Sequence, residues 1–546
     1  MSSSGTPVVP GVGTGPVVVT AERAEAPADE TFVDGDTTVA AVTAARETVA
    51  ERLTSRAGHA SGAAAEVLQA TAAMARDRGL ATFVSKHAEA SGPATAMTAA
   101  VAQLATMFES AGGLMAERVT DLYDVRDRVV AEVLGLPEPG VPSPDVPSVL
   151  FADDLAPADT AGLDADRITA IAIRLGGATS HTAIIARQLG IPCVVGVRDL
   201  PLDGSATTAL VDGTTGEVVL DPDADDAADR AAADAERRAA SAAWTGPGAT
   251  LDGHAVQVMA NVQDAAGAVR AAAEPVEGFG LYRTELSFLD RSSEPTVDEQ
   301  AEIYQAVLDA AGTRKVVVRT LDAGSDKPLA FADMGTEPNP ALGVRGLRIA
   351  TERPELLDHQ LDAIAAAAGR SSADVWVMAP MVAVVSEAVD VAARIRQRGL
   401  TAGVMIETPS AALHADRLLQ HVDFVSIGTN DLSQYTFAAD RMAASLSHLT
   451  DPWQPALLTL VASVADAGRR AGKPVGVCGE AAADPMLACV LVGLGVTSLS
   501  CAASAVRSVG AMLATVTLEQ CRAAASAALD ADDPADGRAR VHAILA

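Results

Sequence analysis

Ala402-Gly403-Val404-Met405-Ile406-Glu407-Thr408-Pro409 and Asp423-Phe424-Val425-Ser426-Ile427-Gly428-Thr429-Asn430-Asp431 carry the pattern that decides the fold of the longest part of this chain. Each is a short apolar run, as expected of a parallel strand buried on both faces, and each stops at a polar cluster. The same unit repeats from about residue 250 onward. The other runs are Val256–Val262, Gly278–Tyr282, Lys315–Arg319, Val375–Met378, Pro474–Val477 and Thr497–Cys501, with helical patterns between most of them. Eight strands alternating with helices predict a (β/α)8 TIM-type barrel over residues 250–546.

Such a barrel presents its chemistry at the C-terminal ends of its strands. Those ends read Arg283-Thr284-Glu285, then Arg319 with Asp322 and Lys327, then Glu407-Thr408-Pro409, then Asn430-Asp431 with Arg441 beyond, then Cys478-Gly479-Glu480. Arg283, Arg319, Lys327 and Arg441 suit a small, multiply charged phosphate or carboxylate, because guanidinium forks pair with such oxygens bidentately. Glu407 and Asp431 give two hard oxygen ligands for Mg²⁺, with substrate and water completing the shell. Any one of these residues also reads as half of a structural salt bridge. Their common placement at strand ends favours a binding rim. Cys478 reads as an inert core thiol or as a proton donor beside cations.

Upstream, Gly176-Gly177-Ala178-Thr179-Ser180-His181-Thr182 opens a helix that stops at Gly190-Ile191-Pro192. Thr179 or Ser180 is placed to cap it. A helix start offers free N–H groups and partial positive charge, so a histidine there is suited to carry a phosphoryl group. The alternative is a buried histidine beside a tight turn.

Around that motif, Ser148–Ala152, Ile168–Ile173, Cys193–Val197, Ala209–Gly213 and Glu217–Leu220 read as strands of a small α/β domain, residues 136–221. Residues 1–20 read as a loop and one strand, Val17–Val19, belonging to the same domain. Between them, residues 21–135 are Ala-rich with helical periodicity, with helices expected at 38–56, 61–79, 92–111 and 114–134. A Pro-rich hinge runs from Pro137 to Pro147, and residues 222–249 read as an exposed connecting helix.

Composition narrows the function. The 546 residues are 49% hydrophobic and 20% charged, which fits two to four globular domains. No apolar run has membrane-spanning length and the N-terminus has no signal-peptide pattern, so a cytoplasmic protein is expected. Five scattered cysteines include no CxxC pair, which indicates neither a disulfide framework nor a zinc site. The net charge of −31 argues against nucleic acid as a partner and requires any anionic substrate to meet a local basic cluster. Residues 21–135 hold 17 acidic and 10 basic residues, either a solvated surface or a docking face for a basic partner.

The histidine motif and the rim together resemble enzyme I of the bacterial phosphoenolpyruvate (PEP)-dependent sugar phosphotransferase system. The most specific pieces are Gly176–Thr182 and Ser426–Thr436, supported by Gly280–Glu285, Asn339–Arg345 and Val477–Glu480. The resemblance implies an α/β phosphohistidine domain with an inserted helical bundle. His181 would take the phosphoryl group on Nε2 and hand it to a histidine of the carrier protein HPr, docked on the bundle. Arg283, Arg319, Lys327 and Arg441 would bind PEP, Asn430 and Asp431 would contact it, and Glu407 and Asp431 would hold Mg²⁺. Cys478 would protonate the enolate to give pyruvate. The barrel would carry a homodimer interface.

Four positions depart from the family pattern: Arg174 where an acid is usual, Ser325 for glycine, Met442 for glycine, and Cys501 within Ser500-Cys501-Ala502 for methionine. A pyruvate phosphate dikinase or PEP synthase shares the histidine and barrel but needs an ATP-binding domain, for which the mostly helical residues before His181 offer no Gly-rich phosphate loop. An inactive regulatory paralogue is disfavoured by the presence of His181, Cys478 and both carboxylates.

Overall fold

The computed structural model describes residues 2–545 apart from 21–23, 59–62, 112–117, 143, 154, 156–162, 164–166, 176–180, 289–290, 325–328, 330, 332–334, 336, 442 and 444–445. The chain forms two compact units, residues 1–236 and 237–546.

The first unit contains an eight-stranded mixed sheet. Its strands are β1 (Ser2–Ser4), β2 (Thr6–Val9), β3 (Val12–Val19), β4 (Ser148–Ala152), β5 (Ile168–Ile173), β6 (Cys193–Val195), β7 (Thr208–Asp212) and β8 (Glu217–Leu220), in the order β1-β8-β7-β3-β4-β5-β6-β2. Residues 1–20 therefore make three strands where the sequence suggested one. The glycines that look like loop are strand residues under close approach. A Cβ on Gly13 would meet the Thr169 carbonyl at 2.2 Å, and one on Gly15 would meet the Pro147 carbonyl at 2.8 Å. Leu150 and Ile171 pack on one face of the sheet, while Val149, Phe151 and Val211 pack on the other.

Between β3 and β4 the described residues form the helices α1 (Gly35–Ala57), α2 (Ala63–Ala75), α3 (Arg78–His87), α4 (Pro93–Ala111) and α5 (Val119–Leu134). Val42, Val49, Leu53, Leu80, Met97, Val101, Leu122 and Val129 form their core. The expected helix at 61–79 stops at Ala75. The separate helix α3 starts where Asp77 accepts from the Leu80 N–H at 2.8 Å, a side-chain cap that resets the chain direction.

Helix α6 (His181–Leu189) lies between β5 and β6. Helix α7 (Ala224–Ala243) is exposed over most of its length, as expected, and is anchored at two buried positions. Ala227 packs against Val12 and Leu210, and buried Asp234 accepts the Val12 N–H at 3.0 Å. Arg230 pairs with Asp212 and Glu217.

The second unit is a closed barrel of eight parallel strands: β9 (Gln257–Val262), β10 (Gly278–Arg283), β11 (Lys315–Arg319), β12 (Asp374–Ala379), β13 (Thr401–Ile406), β14 (Phe424–Ile427), β15 (Val475–Val477) and β16 (Ser498–Cys501). Every strand pairs with its neighbours in chain order, and β16 closes onto β9. Three further helices, Val506–Thr515, Leu518–Leu529 and Pro534–Leu545, follow β16. No described helix is long and apolar enough to cross a membrane.

Candidate active site

Strand alternation sorts the barrel's side chains into two sets. Val316 and Val318 of β11, Val404 and Ile406 of β13, and Val475 and Val477 around β15 join the large core between strands and helices. Val317, Met405, Phe424 and Cys478 form a separate cluster inside the barrel with Leu281 and Met378. Continuing each inward row by two residues reaches Arg283 from Leu281, Arg319 from Val317 and Glu407 from Met405. The C-terminal mouth therefore collects charge because these three inward rows end there in charged residues.

Arg319 is buried. Its guanidinium pairs with Glu285 and, at 3.0 Å, with Asp322. Burial alone would lower its pKa, but Glu285, Asp322 and Glu407 more than offset this, so it is held protonated. Arg345 is also buried and clamps two carboxylates. Its Nε and Nη2 donate to Asp322 at 3.0 Å each, and its Nη1 and Nη2 donate to Asp431 at 3.2 and 3.1 Å. Arg345 lies in the motif Asn339–Arg345, yet strand-end reasoning gave it no role because it sits in the connection between β11 and β12. Arg283 is half-buried and makes no hydrogen bond or ion pair among the described residues, leaving its guanidinium open to a ligand. Arg319 Nε, Thr429 Oγ1 and Ser433 Oγ are buried without partners among the described residues, three groups in and beside the mouth that a bound molecule can satisfy.

Cys478 follows β15 at the mouth, 2% exposed. Its Sγ lies 3.6 Å from the Ile427 carbonyl, and Asn261 donates to its backbone oxygen at 3.2 Å. Burial pushes the thiol pKa up. A hydrogen bond with Ser426 and the charges of Arg319 and Arg283 pull the other way without reversing it. The group thus holds its proton at neutral pH while cations stand by to stabilise the thiolate. Gly479 brings this strand end against the helix Thr429–Phe437, since a Cβ there would fall 2.0 Å from Thr429 Oγ1. Asn430 Oδ1 accepts from the Glu480 N–H at 3.0 Å, joining the ends of β14 and β15.

Glu407 is 1% exposed, and one of its oxygens accepts from the Met381 N–H. Its pKa is pushed up to about 8 by burial and by the negative charges of Asp322 and Asp431, against the pull of Arg319. Four acids, Glu285, Asp322, Glu407 and Asp431, face two buried guanidiniums, Arg319 and Arg345. That excess of negative charge and its all-oxygen chemistry fit a divalent cation such as Mg²⁺. The second Glu407 oxygen makes no hydrogen bond among the described residues, and each Asp431 oxygen keeps a further lone pair. These acids are not arranged so that three or more could grip one metal ion, and no other such group occurs among the described residues, so other oxygens must complete the shell.

The remaining expected residues are placed as follows. His181 is the first residue of α6. Gly176–Ser180 and Lys327 lie outside the described residues, as do Ser325 and Met442. Arg441 is exposed, and its backbone N–H donates to Gln434 at 3.1 Å. Of the departures, Arg174 forms a bidentate ion pair with Asp153. Cys501 points outward from β16 into the helix-facing core, away from Cys478.

Three family models for PEP-utilising enzymes match the chain: the N-terminal model at residues 4–118, the mobile-domain model at 144–216 and the PEP-binding-domain model at 237–518. The chain belongs to the PEP-utilising enzymes. The phosphoenolpyruvate-protein phosphotransferase of Streptomyces coelicolor is 49% identical over 506 residues, covering 91% of this chain and 90% of the relative. That of Staphylococcus carnosus is 38% identical over 440 residues, covering 77% and 76%. Within the family, the chain therefore falls among the phosphoenolpyruvate-protein phosphotransferases.

Proposed function

We infer that this enzyme transfers the phosphoryl group of PEP to Nε2 of its own His181 and then to a histidine of HPr, releasing pyruvate, as the first step of a sugar phosphotransferase system. In the first step the P–O bond of PEP breaks and a P–N bond to His181 forms. The enolate left behind takes a proton at carbon from the Cys478 thiol. Arg283 and Arg319, with Lys327 and Arg441, bind the phosphate and carboxylate, and Asn430 contacts the substrate beside them. Phosphoryl transfer needs mainly positioning and charge neutralisation, which these cations supply. Glu407 and Asp431 would hold Mg²⁺, which would add further neutralisation of phosphoryl charge. The observation that carries the reading is the placement of Cys478, a buried thiol at the same strand-end mouth that gathers Arg283, Arg319 and Glu407.

On this reading, residues 1–20 and 136–221 form the phosphohistidine domain, 21–135 dock HPr, 222–249 link the parts, and 250–546 bind PEP and dimerise. The acidic excess over 21–135 supports a basic docking partner. Five free thiols fit the cytoplasm, a reducing compartment.

The test is incubation with ³²P-labelled PEP and Mg²⁺. Wild-type protein should become labelled and pass the label to HPr, and His181→Ala should stay unlabelled. Equal labelling of His181→Ala would overturn the assignment.

A further inference from the structure

One buried side chain joins the two strand ends that carry Arg283 and Arg319. Gln360 lies within the helix Pro354–Ala368, where its neighbours Leu356, Leu357, Leu361 and Ile364 are apolar and buried. It is 1% exposed, and both N–H groups and the oxygen of its amide are bonded. Oε1 accepts from the Leu321 N–H at 2.8 Å, while Nε2 donates to Thr284 Oγ1 at 3.0 Å and to Tyr304 Oη at 3.1 Å. A backbone N–H can only donate, so Leu321 fixes which end of the amide faces it.

The bonds then run in two directions. Having accepted from Gln360, the Thr284 hydroxyl donates to the Arg319 carbonyl at 3.0 Å. Tyr304 donates outward to Gln300 at 3.1 Å, and Gln300 donates to the Pro295 carbonyl at 2.9 Å. Burying an amide here is costly unless every group is bonded, and packing alone is met by leucine or methionine. The inward branch has a consequence for the rim. Thr284 sits between Arg283 and Glu285, and Glu285 in turn holds the Arg319 guanidinium. The Arg319 carbonyl and the Leu321 N–H bracket Thr320. A single amide therefore fixes the end of β10 and the end of β11 against each other.

We propose that Gln360 is a positioning residue for PEP binding, setting the spacing of Arg283 and Arg319 through Thr284 and the backbone of residues 319–321. This rests on the phosphotransfer reading above. Both guanidiniums survive its removal, but their spacing no longer matches the oxygens they grip.

The experiment follows the rate of ³²P labelling of the full chain against PEP concentration, with Mg²⁺ present. Gln360→Met keeps volume and removes the amide. It should raise the half-saturating PEP concentration about ten-fold while the saturating rate stays within about three-fold. Thr284→Val should do the same and carries the test if Gln360→Met does not fold, and Thr284→Ser, which keeps the hydroxyl, should recover most of the loss. Tyr304→Phe cuts only the outward branch and should lower the thermal midpoint without moving half-saturation. Hydrogen exchange at the Leu321 amide should quicken in Gln360→Met. Unchanged half-saturation in Gln360→Met or Thr284→Val beside an active wild type overturns this inference alone. A wild type that takes no label overturns the phosphotransfer reading, and this inference with it.

Discussion

Replacing Arg345 with methionine measures how the charges of the barrel mouth are balanced. Methionine fills similar space, so the loss is electrostatic and not a cavity. The Arg345 side chain is 3% exposed and makes four contacts of 3.0–3.2 Å to Asp322 and Asp431. Its removal strips both guanidinium contacts from Asp431 and two from Asp322, which keeps its pairing with Arg319. Removing one partner from a buried ion pair costs about 3–5 kcal/mol, and that loss is expected here. The three tryptophans, Trp244, Trp376 and Trp453, all lie in residues 237–546, so their fluorescence reports that unit alone. Urea unfolding in EDTA, which removes any compensating cation, is the assay. Adding Asp431→Asn to Arg345→Met deletes the orphaned charge and should recover about 1–3 kcal/mol. A loss below about 1 kcal/mol for Arg345→Met, or a further loss from the second substitution, would refute the reasoning.

Cys478→Ala should slow pyruvate formation by about 10²- to 10⁴-fold, the usual worth of a positioned acid, in an assay coupled to lactate dehydrogenase; a rate near wild type removes the thiol from the chemistry. EDTA should abolish ³²P labelling and Mg²⁺ restore it. Mg²⁺ should also raise the urea midpoint of wild type more than that of Glu407→Gln, and equal shifts would exclude Glu407 as a ligand. Burial raises the Cys501 pKa from 9.0 to about 12. Because the folded chain keeps a proton that the unfolded chain sheds, its contribution to stability is intact below pH 9 and falls as pH climbs from 9 toward 12. Cys501→Ala should therefore lose stability less steeply than wild type between pH 9 and 10.5, and parallel curves would contradict this.

The barrel is legible in the sequence because its strands are short apolar runs that end abruptly in charge. Lys315–Arg319 is a strand with those bounds, and the other seven match to within a residue at either end. What escapes is what depends on contact across the chain. Gly13 and Gly15 look like loop until Thr169 and Pro147 are seen pressing on them. Arg345 carries no periodic signal in the long connection where it sits, and only the fold brings it to Asp322 and Asp431. Helix α3 begins at an aspartate whose capping bond is local, yet an alanine-rich background hides the break. Gln360 is visible as one polar residue in an apolar helical row, but its partners lie just beyond two different strands and on another helix.

The pairing of β11 with β12 sets Lys315 against Asp374 and Arg319 against Met378. That alignment works as a reading frame. Inserting one residue within β11 would turn Val318 into the mouth and Arg319 toward the helices, breaking its pairing with Glu285 and Asp322 and leaving a charge in the apolar core in one event. Length changes should therefore accumulate in the connections, while the strands keep their residue count even where individual side chains vary.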